Sequence, residues 1–161
     1  MLHLSSFFLV LTVIINVMQN AFACYMKLGH FKEAYKCADY IKSLMPDYLK
    51  TYLLYGLLAY FNNGATLSQV RKGLQTVKEG VAIAGLATAN SQSFLPLLKS
   101  LEKHRDLLED KVRMMIRTQA KACQGLVDKA IKVEAYQREK GVVKTAQPFA
   151  RAYEDYKLIS K

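Results

Sequence analysis

The chain has 161 residues, 52% of them hydrophobic, and only eight glycines and three prolines. That length supports one domain with a modest core, excludes a disordered tail, and favours long helices over an architecture of strands and turns. The formal charge of +10 is spread along the sequence with no run of five basic residues, so an acidic protein partner or an anionic surface suits it and a nucleic-acid partner is not expected.

The first element is apolar. Residues Phe7 to Val17 are interrupted only by Thr12 and Asn16. Three readings compete: a signal peptide with Ala21-Phe22-Ala23 as the cleavage site, a marginal membrane span over residues 2–18, and a helix buried against protein. No Lys or Arg precedes the apolar run, which argues against the signal peptide, and the run is short for a span. The buried helix is therefore preferred. So small a domain cannot cover it alone, and it calls for a partner.

From Asn20 the pattern changes. Asn20 to Leu28 reads as a helix ended by Gly29, where a positive φ costs little. Lys32 to Leu44 is the second helix, stopped by Pro46. Tyr48 to Phe61 is the third, broken by Asn62-Asn63-Gly64, and Leu67 to about Ala84 is the fourth. Short connections make these antiparallel hairpins. Small residues (Ala23, Ala34, Ala38, Gly56, Ala59) recur where helices would cross closely, with Tyr25, Phe31, Tyr40, Tyr52, Leu57 and Leu74 filling between them.

The stretch from Asn20 to Ala34 resembles the first helix, turn and second-helix entry of the tetratricopeptide repeat family, with Tyr25, Gly29, Ala34 and Pro46 at family spacing. A second, degenerate repeat matches through Tyr52, Gly56 and Ala59, then departs at the long turn after Phe61. The resemblance covers about residues 14–84 and implies an α-solenoid binding scaffold with a groove lined by the first helix of each hairpin. Within the family the nearest look is the co-chaperone type, which clamps the acidic C-terminus of heat-shock chaperones. Residue by residue, Asn20 and Lys50 match clamp positions, whereas Leu54 stands where the family has Arg or Lys. The resemblance thus implies a groove that is more apolar and aromatic than a clamp, with Tyr48, Tyr52 and Tyr55 as candidate docking residues beside Asn20 and Lys50.

Ala84 to Asn90 reads as a small-residue linker. From Ser91 to about Lys140 an amphipathic stripe through Phe94, Leu98, Leu101, Leu108, Val112, Met115, Ala122, Leu126 and Val133 predicts one long helix, with Pro96 in its first turn. Its start would cap the repeats; beyond that it either bends near Gly125 and folds back or projects and packs on a partner, and a self-paired coiled coil is a further alternative on a stripe made imperfect by Arg105 and Gln119. Gly141 ends it. In the tail, Phe149, Tyr153 and Tyr156 lie at steps of four and three, the spacing of a short docking helix.

The expected domains are 1–90, 91–140 and 141–161, and the expected fold is all-α. No catalytic motif is present, and His3, His30 and His104 sit in unrelated contexts. Cys24, Cys37 and Cys123 form neither a disulfide framework nor a zinc motif. The expectation is a non-enzymatic accessory subunit without cofactors, contacting other protein subunits in a reducing compartment, mitochondrial or cytoplasmic. The rivals are a chaperone-binding adaptor and a protein membrane-tethered through residues 2–18.

Overall fold

A computed structural model of the chain describes residues 2–141, and all regular structure among them is helical. The elements are α1 (Leu2–Leu28), α2 (Phe31–Leu44), α3 (Lys50–Phe61), α4 (Leu67–Asn90), a single 3₁₀ turn (Gln92–Phe94) and α5 (Leu95–Glu139). The chain divides into two units, residues 1–112 and 113–161.

In the first unit α1 packs on α2 and α3 on α4, and α2 joins the two hairpins through its contacts with α3. The expected break between the apolar start and the first repeat helix does not exist: α1 is one helix of 27 residues. No Gly or Pro interrupts it, and Leu11, Ile15, Met18, Phe22 and Tyr25, at steps of four and three, all join one core cluster. The turn after α1 is a Schellman motif. Gly29 has φ 72°, its amide donates to Met26 O at 3.2 Å, and the His30 amide donates to Tyr25 O at 2.9 Å.

The centre of this unit is Ile41, Ala34 and Ala38 from α2, all fully buried, with Ile15 and Phe22 from α1 and Leu54 and Leu58 from α3. Before Leu11, by contrast, Leu4, Phe7, Phe8, Leu9 and Val10 are exposed. Residues 3–28 have a mean hydropathy of 1.9 in their most apolar window. The segment 2–18 thus shares its C-terminal turns with the core.

The α3–α4 hairpin is closed by small residues. Gly73 lies against Ala59, Gly56 against Val77 and Leu108, and Gly80 against Tyr52 and Leu101. A Cβ built at Gly80 would sit 2.6 Å from Tyr52 Cβ. Gly73 and Gly80 alternate with the buried Val70, Val77 and Ala84 along α4. Thr66 opens α4 with a capping box: its Oγ1 accepts from the Gln69 amide at 3.2 Å, and Gln69 Oε1 accepts from the Thr66 amide at 2.8 Å.

The expected linker from Ala84 to Asn90 is instead helical. Gly85 alone costs about 1 kcal/mol in a helix, and Ala84 is fully buried, so the surrounding Ala and Leu residues carry α4 on to Ser91. There the backbone turns extended, with φ −153° and ψ 123°.

α5 begins with Pro96 in its first turn, as expected. Leu101 and Leu108 are fully buried and Lys111 caps α3. The Lys111 ammonium donates to Ala59 O at 2.7 Å and Tyr60 O at 2.8 Å, carbonyls at the helix end, and to Asn62 O at 3.1 Å, which also accepts from the Ala65 amide. Burial holds this ammonium below its usual value. Lys111→Met keeps the stem but removes the donor, so it is expected to lower the urea-unfolding free energy by about 1–3 kcal/mol. An unchanged urea midpoint would refute the capping role.

In the second unit the described residues continue α5 through Gly125 without a break, and Gly141, with φ 74°, ends it. Met114, Ile116, Leu126, Val133 and Tyr136 are exposed there. Phe149, Tyr153 and Tyr156 lie outside the described residues.

Candidate binding groove

Where α1 passes α3, a groove of about 740 Å³ opens within the first unit. α1 contributes Gln19, Asn20, Phe22, Ala23, Met26 and Lys27, and α3 contributes Lys50, Leu54, Leu57 and Phe61. Gly29 and Phe31 close one end. The groove forms because α1 and α3 each lead a hairpin, and α2 holds them side by side through Ile41 and its neighbours. Its floor is aliphatic and aromatic. Its polar rim holds two amides and two ammonium groups, and no carboxylate is among the lining residues.

The rim is partly ordered. Lys50 Nζ donates to Gln19 Oε1 at 3.2 Å, and Gln19 Nε2 donates to Tyr48 Oη at 2.6 Å. This chain sets the Gln19 amide with its acceptor toward the lysine. Asn20 and Lys50, singled out in the sequence, therefore face the same groove. Tyr48 braces its rim through Gln19.

The other two tyrosines are placed elsewhere. Tyr52 packs on Gly80 in the α3–α4 interface. Tyr55 donates its hydroxyl to Asp39 Oδ1 of α2 and packs against Tyr35 with ring centroids 5.4 Å apart, while Lys42 Nζ lies 5.7 Å from the ring centre. These contacts join α2 to α3 on a face that does not line the groove. Gln19, Phe22, Met26 and Phe61 are lining residues that sequence reasoning did not single out. The step of three and four linking Gln19, Ala23 and Met26 was the signal that could have found part of them.

Burial raises the Tyr55 phenol well above its usual 10.0, helped by its hydrogen bond to Asp39 and by the negative charge there. An acid whose folded pKa is raised stabilises the fold below its unfolded pKa and loses that contribution as pH rises above it. The protein is therefore expected to lose stability above about pH 10, and Tyr55→Phe is expected to flatten that loss. Urea midpoints measured across the alkaline range check this; parallel losses in both proteins would contradict it.

Among the described residues no three His, Cys, Asp or Glu side chains converge on a metal-sized site. No family model, curated protein or solved structure matches the chain.

Proposed function

We propose that this protein is a non-catalytic interaction module, a scaffold or accessory subunit whose α1–α3 groove holds a segment of another protein, on a tetratricopeptide-like pair of hairpins. The observation that carries this reading is the groove's lining: Phe22, Met26, Phe31, Leu54, Leu57 and Phe61 beneath Asn20, Lys27 and Lys50. An apolar trough with a cationic rim matches an amphipathic segment that presents apolar side chains downward and carboxylates at its edge. Phe61 is 51% exposed, a large aromatic anchor left for a partner to cover. The exposed turns of α1 before Leu11 add apolar surface of the same kind.

The test is purification of the tagged full-length chain from its own cells, with Leu57→Asp as the groove variant. A stoichiometric protein partner retained by the wild type and lost with Leu57→Asp, while circular dichroism is unchanged, is the expected result. A partner retained equally by both proteins refutes the groove as the interface.

A second reading is favoured by one observation, that Asn20 and Lys50 line the same groove. It is the chaperone-type clamp, in which the Lys50 ammonium and the Asn20 amide hold a terminal carboxylate. Leu54, only 4% exposed, stands where the resemblance implies a second clamp cation beside Lys50. Calorimetry with an acidic peptide ending in Glu-Glu-Val-Asp distinguishes the two. Binding that weakens at least about tenfold in Lys50→Ala, equivalent to about 1.4 kcal/mol, supports the clamp. No heat of binding removes it and leaves the amphipathic-segment reading intact.

A further inference from the structure

We propose that residues 113–139 of α5 pair with the same segment of a second copy of this chain as a parallel, in-register, two-stranded coiled coil. The segment is continuous helix, about 40 Å long at 1.5 Å per residue. Ile116, Cys123, Ala130 and Gln137 fall at the a positions of a heptad, and Gln119, Leu126 and Val133 at the d positions between them. Leu126 is 67% exposed, Val133 54% and Ile116 40%, so the seam is uncovered within the described chain. Ile116 at a and Leu126 at d are the two seam residues that follow the two-stranded preference for a β-branched residue at a and leucine at d.

Three further features fix partner, direction and register. The positions flanking the seam are Met115, Ala122, Lys129 and Tyr136 at g, and Arg113, Ala120, Val127 and Glu134 at e, with Arg113 the one basic residue at e. In a parallel pair each g residue meets the e residue five places on in its partner. Lys129 then meets Glu134 of the second copy, an opposite-charge pair formed twice, while the other two such contacts are apolar. Arg117, Lys121 and Lys132 fall at the outward b, f and c positions, so the basic excess does not face itself. Gln119 and Gln137, at d and a, each give a polar layer of two amides. In register the two amides of a layer meet and can bond to each other; an antiparallel pair that sets Gln119 against Ala130 leaves its amide without a partner, and one that sets it against Gln137 brings the two Lys129 side chains together. The small residues Ala120, Ala122, Cys123 and Ala130 along the face suit the close approach of another helix. They are poor side chains for insertion into a membrane surface, where bulky apolar groups carry the binding.

The experiment uses the full-length chain with Cys24→Ser, which leaves the buried Cys37 and the exposed Cys123 as its thiols. In the parallel pair the two Cys123 residues share one layer. Two Cys123 thiols give up two electrons to added copper(II)–phenanthroline and two protons to solvent, joining as one disulfide. The expected result is a light-scattering mass that rises with concentration to twice 18.2 kDa, together with rapid cross-linking that Cys123→Ser abolishes. Leu126→Asp, at an exposed position, is expected to raise the dissociation constant at least about tenfold with helicity in the first unit retained.

A mass fixed at 18.2 kDa up to the solubility limit overturns the proposal. So does a dimer whose Cys123 residues do not cross-link, which would indicate antiparallel pairing. Sedimentation of a monomer with anionic vesicles would assign the face to a membrane instead and likewise overturn it.

Discussion

Gly73→Val is expected to destabilise the first unit by about 3 kcal/mol and to lower its urea midpoint accordingly. The reason is local and steric. A Cβ at position 73 would collide with Ala59 Cβ, an atom fixed to the α3 backbone that no rotamer change can move. The helices must separate, and the contacts of Val70, Val77 and Leu108 loosen with them. Helix propensity works the other way by up to about 1 kcal/mol when glycine is replaced by alanine, which is too little to offset the overlap. Gly125→Ala provides the contrast. Nothing lies within 4 Å of a Cβ there, so it is expected to stabilise its helix by about 0.5–1 kcal/mol. If Gly73→Val unfolds at the wild-type midpoint, the close α3–α4 crossing is wrong.

Ile41→Ala is expected to cost about 3 kcal/mol, within the usual 2–5 kcal/mol for truncating a buried aliphatic side chain. Ile41 is fully buried and is the α2 residue packed among side chains of both α1 and α3. A cavity at that place weakens the joint between the hairpins, and with it the groove they form. Cys37, one turn earlier on α2, is 8% exposed and supplies a readout. Its thiol is blocked in the folded state and its pKa is raised by burial, so labelling must pass through opening of the core. A 3 kcal/mol loss is expected to accelerate Cys37 labelling by about a hundredfold if that opening is the limiting equilibrium. Cys24 and Cys123, already exposed, are expected to label at unchanged rates. Equal acceleration at all three thiols would show that the effect is not local to this core.

Much of the helical order was legible because its signals are local. Gly29 and Gly141 mark helix ends where the backbone takes positive φ, and the breakers Pro46 and Asn62-Asn63-Gly64 separated α2, α3 and α4, whereas Tyr40, read from the sequence as filling between helices, is exposed. Other boundaries were not legible, for the same reason in each case. The stretches from Met18 to Asn20 and from Ala84 to Asn90 carry residues compatible with both helix and loop. Packing decided between them: Phe22 and Met18 hold α1 on α2, and buried Ala84 holds α4 on its neighbours. The Thr66–Gln69 capping box was written in the sequence and is a local signal of the same strength as the glycines.

The groove divides along the same line. Asn20 and Lys50 were picked out by resemblance to a repeat motif, but the tyrosines were not separable from one another by sequence. Tyr48, Tyr52 and Tyr55 follow each other closely, yet one braces the groove rim, one fills the α3–α4 interface and one bonds to Asp39. Successive helical positions point in different directions, and which direction is solvent, groove or core depends on where α2 and α4 lie.

The amino-acid sequence by itself determined that the chain is helical and that much of its apolar surface recurs in stripes, because periodicity, breakers and caps act within a few residues. It also placed α1's hydrophobic turns and the amphipathic stripe from Phe94 to Val133. Only the tertiary structure decided that α1 and α3 lie beside one another to make a groove with two lysines at its rim, and that Gly56, Gly73 and Gly80 are contact points rather than flexible joints. Those outcomes depend on side chains far apart in the chain meeting at van der Waals distance, and no local preference encodes which of them will meet.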